Sequence, residues 1–192
     1  MQQYELKDKE MYKVQKEIEI TPTSVILNGQ PIATTETGDK MLVELYRRYA
    51  GDYPKFFKMD TLCRLGFIAA EIVLREPDCQ QPTAVIMANR SASIKNDTDY
   101  LATISEGNYY PSPALFVYTL PNIVTGEIAI RHHLQGETSF YILESPKQLE
   151  QLVNCQLSIV NYPLPTVLAG WCECSKPDEF YVKMRIIYGT TD

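Results

Sequence analysis

The chain has 192 residues, of which 45% are hydrophobic and 22% charged, and a formal net charge of −6. This length is typical of one domain whose core needs no disulfide or metal to hold it together. The acidic charge argues against a nucleic acid or an anionic membrane as partner, because phosphate groups are bound by basic surfaces. No stretch approaches the roughly 20 apolar residues of a membrane helix. The N-terminus is polar from its first residue, so we expect no signal peptide and a cytoplasmic protein.

The five cysteines do not form the spacing of a disulfide framework or a zinc site; they are Cys63, Cys79, Cys155, Cys172 and Cys174. The last two make a CxC pair, but no second pair of cysteine or histidine ligands lies near it in the sequence. We expect reduced thiols packed in or near the core. The sequence predicts no metal site and no cofactor.

Strand and helix patterns alternate along most of the chain. Residues 12–32 alternate with a period of two, and turn signals at Thr21-Pro22 and Asn28-Gly29 divide them. The apolar run at 83–88 is typical of a strand buried on both faces. The remaining predicted elements are helices at 39–50, 60–74 (capped by Asp60), 97–105 (capped by Asp97), 121–135 and from Ser145-Pro146 to about Val160, and strands at 140–143, 166–172 and 180–188. This alternation predicts an α/β fold with a largely parallel sheet.

The segment SPALFVYTLPNIVTGEIAIRHHLQG, residues 112–136, carries a family resemblance. It resembles the part of β-ketoacyl synthases in which a proline–asparagine pair opens a helix with an "IAI" core and an "LxG" turn closes it. The strand at 83–89 and the strand at 166–172, with Ala169-Gly170, stand in the same order as in that family. The resemblance extends mainly over 112–172 and also over 58–111.

The resemblance implies half of a thiolase-like fold, a single ketosynthase-N-terminal-like domain over 1–192. Its sheet would be mixed, mostly parallel and five-stranded, lie between helices, and have an antiparallel last strand. In synthases a catalytic cysteine follows the strand after the "LxG" turn. Counting from Gly136, that position falls on Ser145, or on Glu144 if the count shifts by one. The family's two catalytic histidines lie in a C-terminal repeat, which we expect to be missing from this protein.

Ser145 has two interpretations. As a nucleophile it needs a base and donors for an oxyanion, and no base is evident nearby in the sequence. Ser145-Pro146 is also an ordinary pair for the start of a helix, which we favour. We expect His132 and His133 to be neutral residues of a surface or an interface.

Two other polar features are candidates. Glu127 and Arg131 have the i,i+4 spacing of a surface ion pair. The polar segment 89–93 follows a parallel strand, where α/β folds usually bind ligands. Arg90 is therefore either a ligand-binding residue or part of a solvated loop.

The strand residues Phe140, Tyr141 and Ile142 and the aromatic-rich segment around Phe116 and Tyr118 are the predicted interface; for that segment, buried packing is the other interpretation. In synthases the strand before the nucleophile forms the dimer seam. We therefore expect this strand at a sheet edge, paired with a second subunit, and broken by proline at Tyr141.

These features lead to a functional hypothesis with two alternatives. The first is a non-catalytic ketosynthase-like subunit, similar to chain-length factors, in fatty-acid or polyketide (aryl-polyene or flexirubin-type) biosynthesis. It would pair with itself or a full-length ketosynthase, with acyl carrier protein as another partner. The chain alone would not catalyse the condensation reaction. The alternatives are an acyl transferase or thioesterase-like enzyme that uses Ser145, and an acyl-group or carrier-protein binding module.

Overall fold

A computed structural model describes residues 12–75, 82–107, 110–159, 166–176 and 178–189. Val160, Cys79 and the polar N-terminal residues lie outside them. In chain order, the elements are β1 (Tyr12–Thr21), β2 (Ser24–Leu27), β3 (Gln30–Pro31), α1 (Gly38–Tyr49), α2 (Thr61–Leu74), β4 (Ala84–Asn89), α3 (Ile94–Leu101), α4 (Pro113–Val117), α5 (Ile123–His132), β5 (Glu137–Ile142), α6 (Pro146–Ile159), β6 (Thr166–Lys176) and β7 (Glu179–Gly189).

The strands form one mixed sheet in the order β3–β2–β1–β7–β6–β4–β5. This confirms the predicted α/β class and the antiparallel last strand. The sheet has seven strands, however, not the five expected, and four of the six pairings in the described residues are antiparallel. Only β5–β4–β6 is parallel, and helical crossovers lead from β4 to β5 and from β5 to β6, as parallel pairing requires, whereas short turns join β1–β2–β3 and β6–β7. Asn28 and Gly29 both adopt positive φ angles, 51° and 76°, which suits a tight hairpin between β2 and β3.

The helix starts test the cap predictions. Asp60 caps α2 as predicted, with its Oδ1 accepting a hydrogen bond from the Cys63 N–H at 2.9 Å. The prediction for Asp97 is wrong, because α3 begins three residues earlier and Ser93 stands at its N-cap position. The predicted helix at 121–135 is shorter, since His133 takes a left-handed conformation and ends α5.

The two faces of the sheet carry separate cores, as the alternation of strand side chains requires. We call the side covered by α1, α2 and α5 the three-helix face, and the side covered by α6 the α6 face. Leu168 belongs to the three-helix face, whereas its neighbour Ala169 belongs to the α6 face. β4 contributes fully buried residues to both, which confirms it as a strand buried on both faces.

Three of the cysteines are buried free thiols, Cys63, Cys172 and Cys174. Burial raises the pKa of each thiol, that of Cys174 to about 12, so they stay protonated at neutral pH. Cys155 is exposed on α6, contrary to the expectation that it lies in the core. Within the described residues, no group of three histidine, cysteine or acidic side chains is placed to hold a metal ion. Nor does any helix there have the length and apolar character needed to cross a membrane.

Candidate functional site

Three polar segments meet at one edge of the sheet, where the parallel strands end. They are the 90–93 loop after β4, Glu144 and Ser145 after β5, and Glu173 in β6. Parallel strands bring their carboxyl ends to a common edge, which is the usual ligand-binding side of an α/β fold. This edge is therefore the candidate site.

The loop after β4 has a fixed conformation. The fully buried Asn89 side chain bridges it, donating to the Ala92 carbonyl at 2.8 Å and accepting from the Ala92 N–H at 2.9 Å. The Glu173 carboxylate accepts from the Arg90 N–H at 2.8 Å and from the Ser91 hydroxyl. These bonds hold Ala92 in its positive-φ conformation, 51°. The sequence pattern did not lead us to predict that Glu173 holds this loop. The available signal was a carboxylate, between two buried residues, near the end of a strand.

Arg90 lies beside Glu144, one of the two positions at which the resemblance expects a catalytic cysteine. Its Nε is 3.4 Å from Glu144 Oε2, and the Leu143 N–H donates to the Asn89 carbonyl at 2.8 Å. Both charged side chains are mostly exposed, 72% and 77%, so the pair contributes at most about 1 kcal/mol to stability. The structure thus brings Arg90 and Glu144 together, but as a solvated ion pair.

Ser145 directly precedes the first residue of α6 and is half-buried. Its carbonyl accepts from the Gln148 N–H at 3.0 Å. The Gln148 side chain accepts in return from the Glu144 N–H at 2.8 Å. The bond from Glu144 to the Gln148 side chain is similar to the second half of a capping box, and both bonds suit a chain that starts a helix at Ser145-Pro146.

The two histidines lie at the opposite end of β5. α5 ends at His132, just before β5 begins, whereas Ser145 follows the end of β5. A strand of six residues spans roughly 20 Å, so neither imidazole can reach Ser145 within one chain. His133 is exposed, as expected, but His132 is half-buried, with Nε2 3.1 Å from Glu71 Oε1.

Glu71 is buried and pairs with two basic side chains at the end of α5, so it links α2 to α5. Burial alone would raise the pKa of this carboxyl, but hydrogen bonds from His132 and Arg131 outweigh it and lower the pKa. The Arg131 guanidinium lies 2.9 Å from Glu71 and 2.6 Å from Asp52. These contacts tie the end of α5 to the core of the three-helix face.

The predicted surface pair of Glu127 and Arg131 is wrong. Glu127 is buried, accepts from the Tyr53 hydroxyl at 3.0 Å and pairs with Lys55. Partners from other elements replace the i,i+4 partner because this side of α5 packs against α2. The spacing already indicated that these residues are buried. Residues 127 and 131 follow Val124 at helical intervals and so lie on the buried stripe of α5.

The predicted interface residues are only partly exposed. β5 lies at the edge of the sheet, as predicted, and Ile142 and Phe116 are each 54% exposed. Phe140 and Tyr141 are half-buried on opposite faces of the sheet. Tyr118 lies in the core at 8% exposure, and burial raises its pKa to about 12. Its side chain therefore does not belong to this exposed surface.

Among the described residues no strand pairs with the outer edge of β5, which presents alternate backbone groups. Because the Leu143 N–H donates to β4, the Tyr141 N–H points the same way, toward β4. The N–H groups of Thr138, Phe140 and Ile142 consequently point to the open edge. Proline at Tyr141 would therefore break the internal ladder, and proline at Thr138 is the sharper test of pairing across the edge.

The fold is similar to that of solved ketosynthase and chain length factor structures. The structure of the ketosynthase ApeO in complex with its chain length factor ApeC from Xenorhabdus doucetiae matches with a TM-score of 0.62 and 13% identity, over 95% of this chain and 81% of that one. The ishigamide ketosynthase/chain length factor matches with a TM-score of 0.66 and 15% identity, over 94% of this chain and 62% of that one. No protein-family model and no curated protein matches the sequence. At these identities the likeness establishes a ketosynthase-like fold.

Proposed function

We propose that the chain is a non-catalytic, ketosynthase-like subunit that acts as a chain-length factor does. It pairs through β5 with itself or with a full-length ketosynthase, in the cytoplasm, and serves polyketide or fatty-acid assembly of the aryl-polyene or flexirubin type. One observation carries the proposal: on a ketosynthase-like fold, the junction between the edge strand β5 and α6 holds Glu144 and Ser145 where the resemblance expects a cysteine.

A condensing enzyme needs a thiolate at such a helix start, where the free N–H groups and the helix dipole favour it. Glu144 is an anion already paired with Arg90, and Ser145 has no histidine within reach. Cys155 lies ten residues further on, roughly 15 Å along α6. These placements support a subunit without condensing activity of its own.

The serine-enzyme alternative needs a general base for Ser145. The carboxylate held at this edge, Glu173, is engaged by the Arg90 N–H and the Ser91 hydroxyl. Among the described residues, no general base forms a hydrogen bond with the Ser145 hydroxyl, so the alternative requires a base from elsewhere. That requirement favours the non-catalytic proposal.

The edge of β5 supports the pairing part of the proposal. Edge strands with free N–H and C=O groups tend to recruit a second strand, and a two-fold pair satisfies both edges with one surface. The exposed apolar side chain of Ile142 on β5 gives such a surface hydrophobic area to bury, and Phe116 on α4 is exposed to the same extent. The solved structures with this fold include a ketosynthase in complex with its chain length factor, which is a precedent for an unlike pair.

A condensation assay tests the catalytic part. We expect the purified chain to form no carbon–carbon bond from acyl and malonyl carrier-protein substrates, while a complete ketosynthase with the same substrates does. A second arm exposes the chain to a fluorophosphonate and to an acyl thioester and searches for adducts by mass spectrometry. Condensation by the chain, or an adduct at Ser145 that Ser145→Ala removes, would show that the enzyme alternative is right.

A further inference from the structure

A cavity of about 220 Å³ lies between the start of α6 and the sheet beneath it. It adjoins the polar edge described above, since Pro146 follows Ser145 and Tyr181 pairs with Glu173, but it shares no lining residue with that edge, and α6, β6 and β7 all contribute to it. Its lining residues are Pro146, Leu149, Glu150, Ala169, Trp171, Tyr181, Lys183 and Arg185.

The strand register produces this cavity. Ala169 pairs with Arg185 and Trp171 with Lys183, so these four side chains form a square on the α6 face. The small Ala169 leaves a hollow beneath α6, and Trp171 stands at its side. A neighbouring void of about 10 Å³, lined in part by Val153, is too small for a ligand.

The cavity combines aromatic walls with two cations. Trp171 and Tyr181 provide rings, and Lys183 and Arg185 provide positive charge. The Glu17 carboxylate lies 3.2 Å from Lys183 Nζ and 3.9 Å from Arg185 Nε. Neither cation therefore forms a close bidentate pair with Glu17.

Glu150 is the closest anion at the cavity, with Oε1 2.9 Å from Arg185 Nη2. Its side chain is 43% exposed and rises from α6, so it can turn out to solvent. Glu150 thus occupies the place that an anionic ligand would take on Arg185.

We propose that this cavity binds a small aromatic carboxylate, with its ring between α6 and Trp171 and its carboxylate on Lys183 and Arg185. An apolar cavity of about 150 Å³ holds a benzene molecule. The 220 Å³ found here therefore suits a single ring with one small acidic substituent. The inference concerns the chain alone and does not depend on a partner subunit or on chemistry at Ser145.

The tryptophan in the lining makes the test direct, because Trp171 is the only tryptophan of the chain. We expect benzoate to change its fluorescence in a saturable way. Benzamide, a neutral molecule of nearly the same shape, should bind about tenfold more weakly, since it lacks the charge-assisted hydrogen bonds.

Three variants assign the site. Lys183→Gln should weaken benzoate binding about tenfold. Glu150→Gln should strengthen it several-fold, because the competing carboxylate is removed. Ala169→Leu should abolish it by filling the hollow, with circular dichroism to confirm folding. Lys176→Gln, on the exposed Lys176–Glu179 pair, is the matched control and should change nothing.

Several results would overturn the proposal. No saturable change with benzoate, or equal affinity for benzamide, would show that the cavity does not select an aromatic anion. An unchanged or weaker affinity in Glu150→Gln would show that Glu150 does not occupy the ligand's place. Should Ala169→Leu fail to fold, the opposite shifts expected for the Glu150 and Lys183 variants still decide the question.

Discussion

The two faces of the sheet bury their side chains in different ways. The three-helix face holds a continuous core from α1, α2 and α5, with residues such as Leu65 and Phe67 fully buried. The α6 face has a small core under one helix, and beyond it lie the ion pairs of Glu17 with Lys183 and Arg185. The comparison teaches that the stability of the fold rests mainly on the first face. The second is open enough to hold a cavity.

Matched leucine truncations give the largest contrast between the faces. Leu65→Ala on α2 should lower the free energy of unfolding by about 2–5 kcal/mol, because it leaves a cavity in a closed core. Leu152→Ala on α6 should cost only about 1 kcal/mol, because this side chain is half-buried and loses less apolar contact.

Urea unfolding measures both truncations, and Leu101→Ala, at a residue 62% exposed, serves as a control with little expected change. Equal losses for Leu65→Ala and Leu152→Ala would mean that the two faces contribute alike.

The first residues of α2 and α6 give a second comparison of the two faces, because they differ in how deeply they are buried. At the start of α2, burial raises the pKa of Asp60 from 3.8 to about 6, even though the Cys63 N–H and nearby cations favour the charged form. The folded state therefore holds this proton more tightly than the unfolded chain does. The loss of folding stability caused by the buried Asp60 charge is absent below pH 3.8. It grows as the pH rises to about 6 and stays constant above that.

Asp60→Asn keeps a good N-cap and removes the buried charge. We expect it to raise the free energy of unfolding by about 1–3 kcal/mol at pH 8, and to change it little at pH near 4. Thermal unfolding at the two pH values measures the difference. An equal effect at both would contradict the raised pKa.

The smallest effect is expected at the start of α6. Ser145→Ala should lower the free energy of unfolding by about 0.5–2 kcal/mol, the usual loss when an N-cap hydroxyl is removed. Ser145→Thr keeps a hydroxyl and should stay close to the wild type. Equal stability of all three proteins in urea would show that the Ser145 hydroxyl does not cap α6.

The sequence predicted those elements whose pattern is local. The stripe of α2, its cap Asp60 and the fully apolar β4 follow from residue spacing alone, and the structure confirms them. The strand count was wrong because hairpins, set by turns such as Asn28-Gly29, added antiparallel strands to one side of the sheet.

Contacts between distant elements were beyond a local pattern. Glu127 contacts Tyr53 and Lys55, more than seventy residues away in the sequence, only because α5 packs against α2. The loop at Arg90 is likewise held by Glu173, 83 residues later. Sequence order shows which residues follow a strand, but tertiary packing decides which of them meet.

The central claim is that the chain pairs through the open edge of β5. Light scattering on the wild type at tens of micromolar, alone and with the cognate ketosynthase, tests it most directly, with Thr138→Pro as the matched variant. Since the Thr138 N–H points away from β4, proline there should abolish the assembly and leave the melting temperature nearly unchanged. Tyr141→Pro should also lower the melting temperature, because it removes a bond to β4. We predict a dimer or a complex with the synthase that Thr138→Pro dissociates. A monomer that stays unchanged when the synthase is added, or an assembly that Thr138→Pro does not affect, would contradict the claim.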